Sequence, residues 1–526
     1  MDYILYNGLI VDVINEQFVE KAVLIRNNKI EKIGFLKELE EKSTKFHRKI
    51  DLKNKLLLPG FNDIHTHFFE YAKLKLQVSL DYLKSMEDLR NTLIDYKNSM
   101  PKNIKWYSGR GWDQNNFEDA GKFNKYFLDK IFPSKPVYLY SKDYHTLICN
   151  SKALELAGID SERSDPDGGR IGKFENGEPN GFLYENAAKE FEKIVPQIPD
   201  NVAKNILITA LKKLYRLGLT GLHVMEKEKA FDYYKQLIEQ GYLMRFCWHF
   251  PQEDLDKMIN KGVTSYTGNE LLKIGGVKLF MDGALGSHTA FMYDSYPNEP
   301  DNYGRLIIDE RRLHNIIKKA AEHDIAVTIH SIGDRSCSIV IDTINKVHSE
   351  TGKNLLQRIE HLQSIRFEDI PKIKSGNIFC SVQPIHIKLD VRNIKNLWPK
   401  AEEHTYPFKT MVDSGITLGM GSDAPVETIN PFHGIYAALE RKYLNNPKNE
   451  SWMPEQKLSI WEALKGYTIN AAIGANSEHC RGSVEEGKLA DLVVIDDFRD
   501  KQNDFWLKAT SQMTIINGEI VYNSLE

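Results

Sequence analysis

The sequence predicts an α/β protein: a (β/α)8 TIM barrel with a small composite β-sandwich from both termini and an insertion between strands 1 and 2. Three observations support this. Short apolar strands alternate with amphipathic helices through the middle of the chain, which is typical of a parallel sheet. Both ends show a period-two apolar pattern instead. A long stretch separates the first two predicted barrel strands.

Eight apolar segments have the length and spacing of barrel strands. They cover residues 55–65, 219–225, 244–250, 274–281, 325–332, 356–362, 378–385 and 416–423. Each is followed by a stretch with helical periodicity, apart from the first. The count of eight favours a closed barrel over an open sheet.

The two terminal segments show the same alternation of apolar and polar residues. Residues 3–35 alternate apolar and polar side chains between turn residues, which predicts short antiparallel strands. The segment after Gly482 repeats the pattern and contains Asn517-Gly518, a dipeptide favoured in hairpin turns. Neither end alone makes a satisfactory sheet. We therefore expect one β-sandwich from residues 1–56 and 481–526, flanking a barrel domain at 57–480.

The gap between the first two barrel strands, about 68–217, is too long for one crossover helix. It contains its own strand-like segment, PVYLYSK, and a Gly/Asp-rich turn, DPDGGRIG. The pattern indicates an inserted subdomain, which we expect to lie over the mouth of the barrel.

Composition excludes several classes of protein. A formal net charge of −4 gives no reason to expect nucleic acid or an anionic membrane as a partner. Five cysteines occur, scattered and never spaced as CxxC, so a disulfide framework or cysteine zinc site is not expected. There is no signal-peptide pattern and no apolar run of about 20 residues. These features favour a soluble cytoplasmic protein.

Histidines and one aspartate mark the ends of the predicted strands. His65 and His67 form a His-x-His pair, whose side chains point to the same side of a strand. His330, His361 and Asp423 lie toward the ends of strands five, six and eight, and Lys278 lies on strand four. Barrel enzymes place their chemistry at this rim. Any one of these histidines could simply be packed or hydrogen-bonded in the fold. Their recurrence at the ends of successive strands predicts a metal centre for Zn²⁺, or for Fe²⁺ or Mn²⁺.

Several segments resemble the amidohydrolase superfamily. They are LPGFNDIHTH, GGVKLFMDGALGS, TIHSIGDRS, RIEHLQS and GSDAPV, with RGWDQNNF, DPDGGRIG, NGEPNGFLYENA and GSVEEGKLADLVVID around them. The likeness is greatest to the branch that contains N-substituted formamide deformylases and related metal-dependent hydrolases. It spans nearly the whole chain, and it is specific for the superfamily but not for a substrate.

The resemblance implies a ligand set for one or two divalent metal ions. His65, His67 and Asp423 would bind the first ion, and His330 and His361 the second. Lys278 would be carboxylated and bridge both ions, because a free ammonium between two dications would be repelled. The alternative for Lys278 is a structural or substrate-binding lysine at a mononuclear site.

The implied activity is hydrolysis of a non-peptide carbon–nitrogen bond in an amide, N-formyl or cyclic amide substrate. Metal-activated hydroxide would attack, and Asp423 would accept the proton of the water and return it to the leaving nitrogen. The resemblance also suggests that His145 donates to the substrate carbonyl, against an ordinary surface or interface role. His288, Trp112, Asp113 and His386 are candidates for the pocket, each with a packing alternative.

Other readings stay open at this stage. The same site suits lactones, cyclic imides and phosphotriesters, and also isomerase or deaminase chemistry. A non-catalytic regulatory relative would be expected to lose a ligand or Asp423, whereas every expected position is filled. A small-molecule substrate is the expected partner, and a homodimer is a further expectation.

Overall fold

The computed structural model describes residues 2–42, 48–80, 83–100, 104–112, 122–141, 146–166, 168–442 and 450–525. The strands are β1 (Asp2–Asp12), β2 (Gln17–Val19), β3 (Ala22–Arg26), β4 (Lys29–Gly34), β5 (Arg48–Pro59), β6 (Phe61–Thr66), β7 (Gln77–Ser79), β8 (Tyr107–Trp112), β9 (Val137–Ser141), β10 (Thr146–Cys149), β11 (Gly169–Lys173), β12 (Pro179–Glu185), β13 (Leu219–Met225), β14 (Arg245–Pro251), β15 (Leu272–Phe280), β16 (Val327–Ser331), β17 (Gln357–His361), β18 (Ile378–Val382), β19 (Leu418–Met420), β20 (Leu492–Ile495), β21 (Ser511–Ile516) and β22 (Glu519–Asn523).

The α-helices are α1 (Leu36–Lys42), α2 (Phe68–Lys73), α3 (Met86–Ser99), α4 (Lys125–Ile131), α5 (Ser151–Leu156), α6 (Asn186–Glu192), α7 (Asp200–Arg216), α8 (Glu228–Glu239), α9 (Leu255–Asn260), α10 (Glu310–Glu322), α11 (Asp334–Thr351), α12 (Ile370–Ser375), α13 (Ile387–Leu397), α14 (Phe408–Asp413), α15 (Pro431–Glu440), α16 (Ile460–Tyr467) and α17 (Ile469–Ile473). Within the described ranges, none of them is both long and apolar enough to cross a bilayer.

The middle of the chain forms a nearly closed barrel of eight parallel strands. The strands run in the order β6, β13, β14, β15, β16, β17, β18 and β19. The last strand returns to the first through two hydrogen bonds: the amide of Asp423 donates to the carbonyl of His65 at 2.8 Å, and the amide of His67 to the carbonyl of Ala424 at 2.8 Å. The predicted eight-stranded α/β barrel is therefore confirmed.

The sequence places the first and last barrel strands inaccurately. The predicted segment 55–65 is divided at Gly60, because β5 pairs in the terminal sheet and only β6 enters the barrel. A continuous apolar run cannot show where a chain changes sheets. The eighth strand, β19, ends at Met420, so Asp423 lies beyond the strand and not at its last position.

Strands from both termini share one sheet, in the order β22-β21-β20-β5-β1-β3-β4, with β2 paired to β1. Its core includes Ile25, Leu57, Leu492 and Ile515. The strands within residues 3–35 pair antiparallel, as predicted: β1 with β2 and β3, and β3 with β4. β1 also runs parallel to β5, which lies outside that segment. β21 and β22 are joined at Asn517-Gly518, and both residues have positive φ, as the predicted hairpin turn requires. The two-layered sandwich stays a prediction.

The chain divides into two compact units, residues 1–69 with 210–526, and residues 70–209. The second unit has its own sheet, ordered β11-β12-β10-β9-β8-β7. Its core includes Leu89, Leu93, Leu128 and Leu139, all fully buried. An autonomous core in this region agrees with an inserted subdomain, while the domain boundaries proposed from the sequence stay predictions.

Close packing of β15 against β16 leads to a stability prediction. A Cβ atom on the buried Gly276 would lie 2.2 Å from the backbone carbonyl oxygen of Ala326. Because that oxygen belongs to the neighbouring segment's backbone, it cannot move aside cheaply. We expect Gly276→Ala to lower the free energy of unfolding by about 1–3 kcal/mol.

The melting temperature measured by calorimetry checks this expectation. Gly286→Ala is the matched control, since an added Cβ there has nothing within 4 Å. An equal melting temperature for both variants would contradict the packing argument.

Candidate metal centre

His65 of β6, His67 just beyond this strand and the aspartate beyond β19 meet at one end of the barrel. His65 Nε2 and His67 Nε2 each lie 3.4 Å from Oδ1 of Asp423. His65 and Asp423 are buried, whereas His67 is partly exposed. The i, i+2 spacing on β6 directs both rings to the same side, as the pattern predicts.

The histidines of β16 and β17 join the same cluster. The ring centroid of His361 lies 4.8 Å from that of His65 and 4.6 Å from that of His330. One potential ligand atom from each of His65, His361 and Asp423 falls within 4.8 Å of the others. The structure therefore brings together five side chains from four segments that the sequence places far apart.

Lys278 reaches the interior from β15. Its Nζ atom is buried and has no hydrogen-bond partner among the described residues. Burial lowers the pKa of this amine to about 8, although the charges of Glu360 and Asp423 act in the opposite direction. Removal of a charge from water without a hydrogen-bonding partner is costly. The ammonium form is therefore less favoured at this position than on an exposed lysine.

Each histidine of the cluster uses one ring nitrogen to bind the protein. The hydrogen bonds run from His65 Nδ1 to Glu360 Oε2 (2.5 Å), from His67 Nδ1 to the Met225 carbonyl (2.9 Å), from His330 Nε2 to the Gly283 carbonyl (3.0 Å) and from His361 Nδ1 to Gln383 Oε1 (2.8 Å). The second nitrogens of His65 and His67, both Nε2, face Oδ1 of Asp423 at 3.4 Å. This arrangement is typical of metal-binding histidines, whose outer partners set the tautomer and ring orientation.

Glu360 connects His65 to a buried arginine. Arg358 Nε donates to Glu360 Oε1 at 2.9 Å, and both side chains are fully buried. Burial alone would raise the pKa of Glu360, but the charges of Arg358 and His65 hold it well below its usual range. Glu360 therefore stays ionised and accepts a hydrogen bond on each oxygen.

Most pKa values of the cluster favour metal-binding protonation states, and His67 is the exception: burial acts to lower its pKa, but its hydrogen bond with Asp423 raises it. Burial lowers the pKa of His330 to about 3, with the charge of Lys278 as the next cause. Burial also lowers the pKa values of His65 and His361. For Asp423, burial acts to raise the pKa, yet the charge of His65 and the hydrogen bond from His67 bring it far below the usual value. Neutral imidazoles and an ionised carboxylate are the forms that bind a cation.

The backbone is strained at two of these positions. His361 has φ of 72° and Asp423 has φ of 58°, in a region that side chains with a Cβ rarely occupy. Because His361 leaves the extended conformation at the end of β17, it and the preceding Glu360 both reach the cluster. Strain of this kind is concentrated at functional sites.

The remaining candidates have different surroundings. The ring of His386 lies 6.3 Å from that of His361, and its Nε2 is buried without a partner in the described part of the chain. His288 pairs with Glu299 at 2.6 Å. Trp112 donates to the Leu139 carbonyl at 2.8 Å and packs within unit 70–209, which favours its packing alternative. His145 and Asp113 lie outside the described residues.

A second group of potential ligands lies in the barrel wall. Atoms of His223, Cys247 and His249 fall within 4.8 Å of one another. Arg358 Nη1 donates to His223 Nδ1 at 2.6 Å, however, so a guanidinium charge occupies one ligand atom of this group. A cation there would be repelled, and we assign these residues to interior packing.

Sequence reasoning missed the partners that orient the ligands, namely Glu360, Arg358 and Gln383. Glu360 and Arg358 belong to the quoted segment RIEHLQS, but strand alternation would place adjacent residues 360 and 361 on opposite faces. The positive φ at His361 interrupts this alternation, so both side chains reach the cluster. The charged Arg-x-Glu pair within a predicted barrel strand was the available signal.

Comparison with known proteins decides the family. The pattern that defines the amidohydrolase family matches residues 48–522. The chain belongs to the amidohydrolase family. Its members are metal-dependent hydrolases acting on carbon–nitrogen bonds, so the chain is an enzyme of this class, and the resemblance noted in the sequence is confirmed.

Individual relatives agree with this assignment. YtcJ of Bacillus subtilis is 31% identical over 99% of this chain and 99% of its own length. N-substituted formamide deformylase of Arthrobacter pascens is 24% identical over 90% of each chain. An uncharacterized metal-dependent hydrolase from Pyrococcus horikoshii has a structure that matches with a TM-score of 0.80 and 27% identity, covering 94% of this chain and 98% of that one.

The Glu360–His65 hydrogen bond leads to a prediction about metal affinity. A glutamine at 360 cannot accept from both Arg358 and His65, because its NH₂ group must face one of the two donors. We expect Glu360→Gln to weaken binding of Zn²⁺ by about 10–100-fold, as for other partners of metal-binding histidines.

Competition with a chromogenic chelator measures this affinity. Glu299→Gln is the control, since Glu299 also accepts from a histidine ring, that of His288, but at a more exposed position. Unchanged Zn²⁺ affinity in Glu360→Gln would show that the hydrogen bond does not orient a ligand.

Proposed function

We propose that this amidohydrolase cleaves a non-peptide carbon–nitrogen bond in an amide, N-formyl or cyclic amide substrate. The observation that carries the proposal is the meeting of Asp423 Oδ1 with the ring nitrogens of both His65 and His67, each at 3.4 Å. A carboxylate in this position would help His65 and His67 to hold a cation and would be available to accept a proton from water that the cation activates. The name of the Arthrobacter relative supports N-formyl compounds as a substrate class.

We further propose a division of the ligands between two ions. His65, His67 and Asp423 would hold the first ion, and His330 and His361 the second, with Lys278 carboxylated between them. The partnerless Nζ of Lys278 among these histidines supports the carboxylated form, because it would convert a buried cation into a ligand. The donor set of imidazoles and carboxylates favours Zn²⁺, and it also suits Fe²⁺ or Mn²⁺.

The residues of the chain then have defined tasks. A divalent ion held in this site lowers the pKa of water toward ~7 and supplies the nucleophile at neutral pH. Asp423 takes the proton of that water and delivers it to the nitrogen of the leaving group, which departs poorly without it. Glu360 and Gln383 hold His65 and His361 in orientation throughout.

Two further histidines are proposed to contact the substrate. His386 has an unpartnered buried Nε2 beside His361, which supports a role as a donor to the substrate carbonyl. The same role for His145 rests on the family resemblance alone. A cytoplasmic location and a homodimeric assembly stay predictions, as does the absence of nucleic-acid and membrane partners.

Asp423→Asn tests the proton-transfer role. The amide cannot take the proton from water, so we expect kcat to fall by about 10²–10⁴-fold. The steady-state rate is measured after circular dichroism has shown that the variant is folded. Asp309→Asn is the control, since Asp309 caps α10 and asparagine caps a helix equally well. A kcat near wild type for Asp423→Asn would overturn the mechanism.

A substrate panel tests the bond that is cleaved. Zinc-loaded protein is assayed with N-formyl amines, N-acyl amino acids, cyclic imides, lactones and phosphotriesters. We expect turnover of a carbon–nitrogen substrate, loss of turnover with a chelator and recovery with added Zn²⁺. Turnover of phosphotriesters or lactones without any amide would replace the proposed activity.

Lys278→Met tests the two-ion arrangement. If the bridging carboxylate is lost, we expect the ratio of metal to protein to fall by about half, as measured by plasma mass spectrometry. Wild-type protein equilibrated with ¹³C-bicarbonate should show a carbamate resonance that the variant lacks. Lys273→Met, on the same strand, is the control. A wild-type protein without the resonance would restrict the centre to an unmodified lysine.

A further inference from the structure

A cavity of about 380 Å³ lies beside helix α13 and shares no residue with the metal centre. One side is lined by α13, which contributes Lys388, Arg392 and Lys395. The other side is formed by residues 441–442 and 450–452. The volume is within the range that small-molecule sites occupy.

The wall of this cavity carries an excess of positive charge. Lys388, Arg392 and Lys395 follow one another at i, i+4 and i+7, so they lie on one face of α13. Lys388 is paired with Glu427 at 2.6 Å. Arg392 and Lys395 form no ion pair with any described residue, and Glu450 is the one acidic side chain among the lining residues.

Arg441 adds a buried charge with incomplete partners. Its Nε donates to the Trp452 carbonyl at 2.9 Å and its Nη1 to the Tyr406 carbonyl at 3.1 Å. Nη2 has no partner among the described residues, although the side chain is fully buried.

A buried guanidinium that forms no ion pair with a described carboxylate is expensive to maintain. Burial lowers the pKa of Arg441 to about 9, although the charge of Glu455 acts in the opposite direction. The guanidinium is stabilised in part by Trp452, whose ring centroid is 4.7 Å away. Because two unpaired surface cations lie beside this buried charge, an anion from outside the chain would be stabilised in the cavity.

We propose that this cavity binds a small organic molecule bearing a phosphate group. The cations Arg392, Lys395 and Arg441 supply the charge that a dianionic phosphate requires. The cavity is larger than inorganic phosphate needs, and Ile387, Val391 and Trp452 give it an apolar side for the organic part. This binding site goes beyond the proposed hydrolytic function and does not depend on it.

Calorimetric titration of the zinc-loaded protein with phenyl phosphate tests the proposal. We expect saturable binding that weakens by about tenfold or more in Arg392→Ala/Lys395→Ala, since each removed charge costs roughly 0.5–1 kcal/mol. Both residues are exposed on α13, so the variant should keep its fold, as circular dichroism checks. Arg311→Ala/Arg312→Ala, which removes the same charge from exposed positions of α10, should bind like wild type.

The other outcomes are decisive as well. If wild-type protein does not bind phenyl phosphate, the proposal is overturned. Equal affinity of the α13 variant and wild type would also overturn it, because phenyl phosphate would then bind elsewhere, for example at the metal centre. Inorganic phosphate and tricarballylate are titrated in parallel. Equal affinity for inorganic phosphate would overturn the organic-ligand assignment, and tighter binding of tricarballylate would overturn the choice of phosphate.

Discussion

The two hydrogen bonds that close the barrel also position its chemistry. They join the backbones of His65 and His67 to those of Asp423 and Ala424, so the residues that complete the barrel are themselves the proposed ligands. Gly421 permits this closure, because a Cβ there would lie 2.7 Å from the amide nitrogen of His65. The distance between the β6 histidines and Asp423 is therefore set by backbone pairing, and not only by side-chain rotamers.

Polar interactions in the barrel interior help to hold the proposed ligands in position. Arg358 binds Glu360, the carbonyl of Ile64 and the ring of His223, so one buried guanidinium links β17 to β6 and β13. Buried charges contribute little net stability, but loss of one member leaves the others unpaired. Such a network is rigid, and rigidity is what the placement of a metal ligand requires.

The sequence was sufficient for the barrel and for the side chains that its rim brings together. Periodicity located strands such as β13, and strand order then placed His330, His361 and Lys278 near the β6 pair. Features that depend on distant parts of the backbone could not be predicted from the sequence. They are the parallel pairing of β1 with β5, the change of sheet at Gly60 and the turn of the chain at His361. These depend on tertiary packing, which overrides local pattern. Glu360 was missed for the same reason.

The terminal sheet has a consequence for synthesis of the chain. β5 directly precedes the first barrel strand. One edge of β5 pairs with β20, where Leu57 lies opposite Val494, so this edge stays uncovered until β20 has been synthesised. On the ribosome, β1 to β5 therefore emerge with an open edge and keep it until the segment around Val494 has been translated. Pairing over such separations is slow and leaves an exposed strand that other chains can join.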